Sequence, residues 1–127
     1  MIVAGIGCRQ GTTVDELCAA LEAALAAGGH DRGCLTALAI PERKRHEPAL
    51  WELARAFGLP LHAIADEELL ARAGDALTPS PSAAAYLGIS VSPAEVAALA
   101  AAGPRSRLIA PRMVKGFVSC ALAEALP

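Results

Sequence analysis

The chain opens with a short apolar run, a glycine-rich turn and the start of an amphipathic helix pattern, all within its first fifteen residues. The turn reads Gly-Ile-Gly-Cys-Arg-Gln-Gly-Thr-Thr over residues 5–13. Glycines let a backbone come close to a neighbour or a ligand, and a helix N-terminus presents free N–H groups and a positive dipole end to anions. This order of elements predicts an α/β fold and makes the opening turn the first candidate for an anion site.

The opening turn does not match a known nucleotide motif. It lacks the Gly-x-x-x-x-Gly-Lys-Ser/Thr of a phosphate loop, and its Gly5, Gly7 and Gly11 are spaced one residue too widely for a dinucleotide fingerprint. A purely structural interpretation therefore stays open. In that interpretation Thr12 or Thr13 is the N-cap of the helix, and a glutamate at position 16 completes a capping box with Thr13.

Short apolar runs alternate with helical patterns along the rest of the chain. They predict strands over residues 2–6, 34–40, 61–65, 107–110 and 116–122, and helices over 13–27, from 48 to near 58, over 66–73, from 81 or 82 to 87, and over 93–102. Asp66 and Ser92 are the expected N-caps of two of these helices, with Glu95 at the capping-box position after Ser92. Residues 121–126 also favour a terminal helix.

This alternation predicts one domain over residues 1–127, a three-layer α/β/α sandwich with a mixed, mostly parallel sheet of about five strands. The first strands should be parallel and joined by right-handed crossovers. About six residues separate the last two predicted strands, which is short for a crossover and favours an antiparallel hairpin joined by a charged turn.

Composition excludes several classes of protein. A net charge of −2 argues against a general nucleic-acid binder. No apolar run approaches the ~20 residues of a membrane helix, and no signal-peptide pattern is present, so the expected location is cytoplasmic. We expect no metal site, because the histidines lie in three separate segments, at His30, His46 and His62, without a ligand spacing. We also expect no cofactor.

The four cysteines form neither a CxxC pair nor a zinc pattern, and free thiols are expected at Cys8, Cys18, Cys34 and Cys120. Cys18 and Cys120 lie in apolar patterns and should behave as small buried hydrophobes. Cys8 stands at the end of the first predicted strand, where the helix N-terminus and Arg9 would lower its pKa.

The topology predicts where a ligand would bind. In sheets of this kind ligands lie beyond the carboxyl ends of the parallel strands. The turns after the first two strands, residues 7–13 and 41–47, should meet at that edge. A group of cations would then converge on one crevice: Arg9, Arg43, Lys44 and Arg45.

Six segments, spread almost from end to end, carry a recognisable pattern. They are Gly-Ile-Gly-Cys-Arg-x-Gly-Thr at 5–12, Lys-x-x-Glu at 44–47, Gly-Leu-Pro-Leu at 58–61, Thr-Pro-Ser at 78–80, Pro-Ala-Glu-x-Ala-Ala-Leu at 93–99, and Pro-Arg at 111–112 followed by Val-Ser-Cys-Ala at 118–121. Together they resemble the CobE family, which is also the C-terminal domain of CbiG. The chain departs from the family pattern at Pro93, Arg112 and Ser119, where valine, lysine and threonine are usual, and by one extra residue between Gly88 and Glu95.

The resemblance implies a role in the biosynthesis of cobalamin, acting on or carrying a corrin-ring intermediate, in the oxygen-dependent branch to which the stand-alone form belongs. The implied partners are a corrinoid or tetrapyrrole intermediate and other cobalamin-biosynthesis enzymes. Corrin intermediates carry several carboxylates, which Arg, Lys and N–H donors bind well. The pattern and the topology together give these ligand-binding candidates: Gly5, Gly7, Cys8, Arg9, Gly11, Thr12, Thr13, Lys44, Glu47, Ser80 and Arg112.

Two other functions stay open. A hydrolase of a precorrin lactone could use Glu47 as base with Lys44 on the carbonyl, although the same two residues also read as an exposed pair one helical turn apart. No catalytic constellation is complete, because no histidine is near Cys8 in sequence and His46 is more typical of solvated surface. An accessory protein without its own ligand could instead present the alanine-rich face of residues 97–102 to a partner.

Overall fold

The computed structural model describes residues 1–88 and 90–127. Over these residues the chain alternates strands and helices, and the elements are β1 (Ile2–Cys8), α1 (Val14–Ala27), β2 (Leu35–Pro41), α2 (Pro48–Phe57), β3 (Leu61–Ile64), α3 (Asp66–Ala71), α4 (Ala84–Leu87), α5 (Pro93–Ala102), β4 (Ser106–Lys115) and β5 (Val118–Ala125). Short 3₁₀ turns lie at Arg32–Cys34, Glu42–Lys44, Ala73–Asp75 and Pro81–Ala83.

The strands form one sheet in the order β3-β2-β1-β5-β4. β1, β2 and β3 are parallel neighbours, whereas β5 runs antiparallel to both β1 and β4. Four of these strands therefore point the same way, which confirms the mixed, mostly parallel sheet. Helices α1 and α2 cover one face, and α3, α4 and α5 pack on the other, so the predicted α/β/α layering is also confirmed.

Aliphatic side chains fill both interfaces between sheet and helices. Ile6, Leu17 and Leu50 belong to the cluster under α1 and α2, and Leu69 and Leu99 belong to the opposite cluster. All five are at most 1% exposed. No helix in the described part of the chain is long and apolar enough to cross a membrane.

Gly5, a predicted ligand-binding residue, instead has a packing role. It sits in the middle of β1, and a Cβ built on it would lie 1.9 Å from the carbonyl oxygen of Ala94 at the start of α5. The missing side chain lets the backbone of α5 rest directly on β1. Ala97, Ala98 and Ala102 of α5 are buried in the same interface, so most of the alanine face packs inside the domain and is not available to a partner.

Helix ends follow several of the sequence signals, but α3 ends at Ala71 instead of residue 73, and α4 begins at Ala84 after the 3₁₀ turn Pro81–Ala83. Thr13 and Glu16 form both arms of the predicted capping box, and Gly58 ends α2 in the left-handed region. The N-cap of α3 is Ala65, and Asp66 is instead its first helical residue. Ser92 accepts the Glu95 N–H at 3.4 Å as predicted, but the Glu95 side chain turns away from the cap.

The last two strands form the expected antiparallel hairpin but are longer than the sequence indicates. The predicted charged turn at 111–115 is part of β4, and the actual turn is Gly116 and Phe117, with Gly116 at φ 60°. β5 continues to Ala125, so the terminal helix does not form. Pairing with β1 and β4 satisfies the backbone of these residues, and that pairing outweighs their local preference for helix.

Candidate functional site

A cavity of about 570 Å³ opens at the carboxyl end of the parallel strands. Its floor and walls come from the ends of β1 and β2, the start of α5 and the β4–β5 hairpin. The described lining residues are Gly7, Cys8, Arg9, Pro41, Arg43, Lys44, Ser80, Pro93, Arg112, Val114, Gly116, Phe117, Val118 and Ser119.

The two predicted turns meet in this cavity. Arg9 from the first turn and Lys44 from the second both line it, together with Ser80 and Arg112 from distant parts of the chain. Glu47 is not among the described lining residues, but its carboxylate accepts the N–H of Gly11 at 3.4 Å and so connects the two turns. Arg45 is likewise outside the described lining, and its guanidinium donates to the carbonyl of Glu42 at 3.1 Å.

The described lining carries four cationic side chains and no acidic one: Arg9, Arg43, Lys44 and Arg112. Because the whole chain has a net charge of −2, this is a local concentration of positive charge. Arg43 forms an ion pair with Asp66 at 3.2 Å, and Arg9 lies over the ring of Phe117 at 4.2 Å from its centroid. The arrangement favours an anionic ligand that also has an apolar surface.

The backbone of the opening turn is not an open anion cradle. The N–H groups of Arg9, Thr12 and Thr13 donate to Phe117 O, Arg9 O and Glu16 Oε1 at 3.3, 3.2 and 3.2 Å, and the Gly11 N–H donates to Glu47. The prediction that these groups face solvent or an anion is therefore wrong for these four residues. Gly11, Thr12 and Thr13 shape the turn, and the contacts available to an anion come from side chains.

Cys8 lines the cavity but is not an activated thiol. Burial raises its pKa above the ordinary value, and this effect outweighs the Lys44 charge, which lowers the pKa. Glu47 raises the pKa further, and a hydrogen bond with Thr12 lowers it. The expected lowering by Arg9 and the helix N-terminus is therefore wrong, and Cys8 stays protonated at neutral pH, a poor nucleophile.

The remaining cysteines are free, as predicted, and their pKa values are raised chiefly by burial. Cys120 is 1% exposed, and its pKa rises to about 12. Cys18 is only partly buried, which differs from the prediction. Its position on the edge of the buried face of α1 explains the difference, because its neighbours Leu17 and Leu21 take the central positions of that face.

Glu95 has a structural role that was not predicted from the sequence. Its carboxylate is fully buried and accepts hydrogen bonds from four donors in the described part of the chain: Leu77 N (2.8 Å), Thr78 N (2.9 Å), Thr78 Oγ1 (2.7 Å) and Arg112 N (2.8 Å). One signal was available, since Glu95 is the only charged residue in a helix otherwise made of proline, alanine, valine and leucine. The apolar part of the lining, including Phe117 and Val114, was also missed because the hairpin was predicted too short.

Comparison with known proteins agrees with this architecture. The family described as "Cobalamin synthesis G C-terminus" matches residues 2–123. The chain is 34% identical over 122 residues to "Protein CobE" from Sinorhizobium sp, an alignment covering 96% of this chain and 79% of that protein.

Three solved structures share the fold. One is CobE, a protein from the cobalamin (vitamin B12) biosynthetic pathway, with a TM-score of 0.92, 38% identity and coverage of 99% of this chain and 91% of that one. Another is the cobalamin biosynthesis protein chiG from Agrobacterium tumefaciens, with a TM-score of 0.80, 41% identity and full coverage of both chains. A putative cobalamin biosynthesis protein G homolog from Sulfolobus solfataricus matches in fold alone, at 21% identity and a TM-score of 0.68 over 96% of this chain and 36% of that one.

The family match, the identity to CobE and the shared fold lead to one assignment. The chain belongs to the CobE family, which is also the C-terminal domain of CbiG, and is a cobalamin biosynthesis protein.

Proposed function

We propose that the cavity binds a corrin-ring intermediate of cobalamin biosynthesis through the carboxylates of the ligand, and that the protein carries this intermediate without reacting with it. The observation that carries the proposal is the set of four cations, with no acid in the described lining, around one cavity of a chain whose net charge is −2. Carboxylates on a corrin edge are strong acceptors for guanidinium and ammonium groups.

The cavity also offers apolar contacts suited to a flat macrocycle. Phe117 is 56% exposed, Val114 is 53% exposed, and both line the cavity beside Pro41. A volume of about 570 Å³ is typical of a small-molecule site. A corrin with all its acid side chains is larger than this, so we propose that the cavity holds one edge of the ring. The opposite edge would stay accessible to the enzyme that receives the intermediate.

The chemistry of the site favours carrying over catalysis. Cys8 is held in its protonated form by burial, and Glu47, the candidate base of a lactone hydrolase, accepts a hydrogen bond from Gly11 outside the described lining. The 34% sequence identity to CobE supports two further parts of the proposal. We propose that the protein acts in the oxygen-dependent branch and in the cytoplasm. We also propose that other cobalamin-biosynthesis enzymes donate and accept the intermediate.

Retention on a desalting column tests this proposal. The purified protein is incubated with cobyrinic acid, whose peripheral carboxylates are free, and in parallel with cobinamide, in which they are amidated. We expect colour to elute with the protein for cobyrinic acid alone. Retention of both corrins would contradict recognition through carboxylates, and retention of neither would favour an accessory protein without its own ligand.

A second incubation separates carrying from catalysis. A precorrin that contains a lactone is mixed with the protein, and the mass of the small molecule is measured before and after. We expect no change in mass. A gain of one water molecule would identify a lactone hydrolase and refute the carrier proposal.

A further inference from the structure

We infer that Glu95 is a positioning residue for this site: its buried carboxylate fixes Arg112 and the segment that bears Ser80 as one wall of the cavity. The expected effect of Glu95 on ligand binding rests on the proposed function, whereas its effect on the structure can be tested without a ligand. Glu95 itself lies below the wall, fully buried, and contacts neither the cavity nor solvent.

The first contact explains how Arg112 is held. β4 is irregular between the register pairs Ala110↔Leu122 and Met113↔Cys120, where three steps along β4 oppose two along β5. Arg112 lies in this bulge, and its N–H donates to Glu95 Oε2 at 2.8 Å. A bulge commonly re-aims a side chain. Here the buried carboxylate accepts the N–H at the irregularity and so fixes the direction in which the Arg112 side chain leaves the strand.

The second set of contacts holds the Ser80 segment. Leu77 N and Thr78 N donate to Glu95 Oε1, and the Thr78 hydroxyl donates to Oε2. On its other side the segment is tied to the approach to α5, because Ser92 N donates to Thr78 O at 3.0 Å and Ser80 N donates to Ser90 O at 2.9 Å. Two stretches that are distant in sequence, residues 77–78 and residue 112, therefore meet at the Glu95 carboxylate.

One substitution separates the contact to Arg112 from the contacts to Leu77 and Thr78, because a glutamine amide has only one acceptor atom. In Glu95→Gln the amide oxygen can still accept the N–H groups of Leu77 and Thr78, as Oε1 does. The amide nitrogen would then occupy the place of Oε2 and cannot accept from Arg112 N. The Thr78 hydroxyl can rotate, but the Arg112 N–H cannot, so this variant removes the contact to Arg112 while it keeps the shape of the side chain.

A double-mutant cycle on cobyrinic acid binding tests the inference. We expect Glu95→Gln and Arg112→Gln each to raise the Kd about tenfold or more, as the loss of one charge-assisted contact does. The double variant should bind no more than about twofold more weakly than Arg112→Gln alone, because coupled residues are not additive. If the two increases in Kd instead multiply in the double variant, Glu95 acts by another route than Arg112. Unchanged binding by Glu95→Gln would overturn the inference.

Amide hydrogen exchange gives a readout that needs no ligand and remains decisive if the wild type binds no corrin. We expect the Arg112 amide to exchange about tenfold faster in Glu95→Gln, while Ala123 in the centre of the sheet is unaffected. Val96→Ala, a buried neighbour on α5, is the matched control: it should lower stability without changing the Kd or the relative protection of Arg112. Equal protection of Arg112 in wild type and Glu95→Gln would refute the positioning role.

If Glu95→Gln does not fold, Thr78→Val replaces it in the cycle. Valine removes the hydroxyl donor to Oε2 but keeps the backbone contacts of residue 78. We expect a smaller loss of affinity that again disappears in the Arg112→Gln background. A loss of equal size in both backgrounds would contradict the inference.

Discussion

Replacing Gly5 with alanine tests the packing of α5 on the sheet. The new Cβ would lie 1.9 Å from Ala94 O and 2.9 Å from both Ala94 C and Ala98 N, all of them backbone atoms of α5. Ordinary contact begins at 3.4 Å, so the gap to Ala94 O must open by the difference, 1.5 Å. A helix backbone cannot rotate away as a side chain can, and α5 must shift away from β1 as a body.

The size of the effect follows from that shift. A gap of 0.5–1 Å already forfeits about a quarter to a half of a dispersion contact, and α5 brings the buried residues Val96, Ala97 and Leu99 to this interface. Overpacking costs typically about 1–3 kcal/mol, and we expect the top of that range, about 3 kcal/mol. With about 2.1 cal/mol/K per residue over 127 residues, the unfolding entropy is about 0.27 kcal/mol/K, so the Tm should fall by about 11 °C.

Thermal unfolding followed by circular dichroism measures this fall, and two other glycines are the controls. In Gly7→Ala the new Cβ meets only the Ser119 hydroxyl oxygen, at 2.7 Å, and this flexible group can rotate away. Gly11→Ala meets no atom within 4 Å and bears only the strain of φ 83°, about 1–2 kcal/mol. Gly5→Ala should be the least stable of the three. A Tm within about 4 °C of wild type would refute the close approach of α5 to β1.

Three further predictions concern charge, thiol ionisation and capping. Lys44→Ala should weaken retention of cobyrinic acid by about ten- to a hundredfold without changing the Tm. Arg55 is an exposed cation of α2 outside the described lining, and Arg55→Ala should leave retention intact. Equal effects of the two changes would remove Lys44 from the site. Burial raises the Cys120 pKa from 9.0 to about 12, so above pH 9 the unfolded state ionises first and stability should fall by about 1.4 kcal/mol per pH unit up to about pH 12. Urea titrations at pH 8 and pH 10 should show a smaller fall for Cys120→Ala than for wild type, and parallel curves would contradict the buried thiol. Thr13→Ala removes the hydroxyl that accepts the Glu16 N–H and keeps the backbone N–H that donates to the Glu16 side chain, and it should cost about 1 kcal/mol in a urea titration; an unchanged midpoint would show that α1 does not depend on this cap.

Much of the fold could be predicted because its signals are local. Thr13 with Glu16, Ser92 before Pro93, and Gly58 after α2 each mark a helix end within a few residues of sequence. The short connection between the last strands indicated their antiparallel pairing. The meeting of Arg9 and Lys44 followed from topology, since consecutive parallel strands bring their following turns to one edge.

The parts that sequence could not supply depend on partners far away in the chain. Residues 111–115 contain a proline and two charged residues, Arg112 and Lys115, a composition typical of a turn, yet all five belong to β4, which pairs with β5. The backbone of the opening turn looked like an anion cradle, but the N–H of Gly11 is taken by Glu47, which is 36 residues away. The Cys8 pKa depends on burial, which no nearby residue type reveals.

The sequence by itself determined the order of strands and helices, most of their ends and the family, because periodicity, caps and motif spacing are properties of neighbouring residues. Only the tertiary structure decided that Gly5 serves packing, that the donors of the cavity are side chains, and that Glu95 is the buried centre of its wall. The physical reason is that burying a carboxylate is favourable only when donors surround it. The donors from residues 77, 78 and 112 lie 17 or 18 residues from Glu95 on either side and meet it only after the chain has folded.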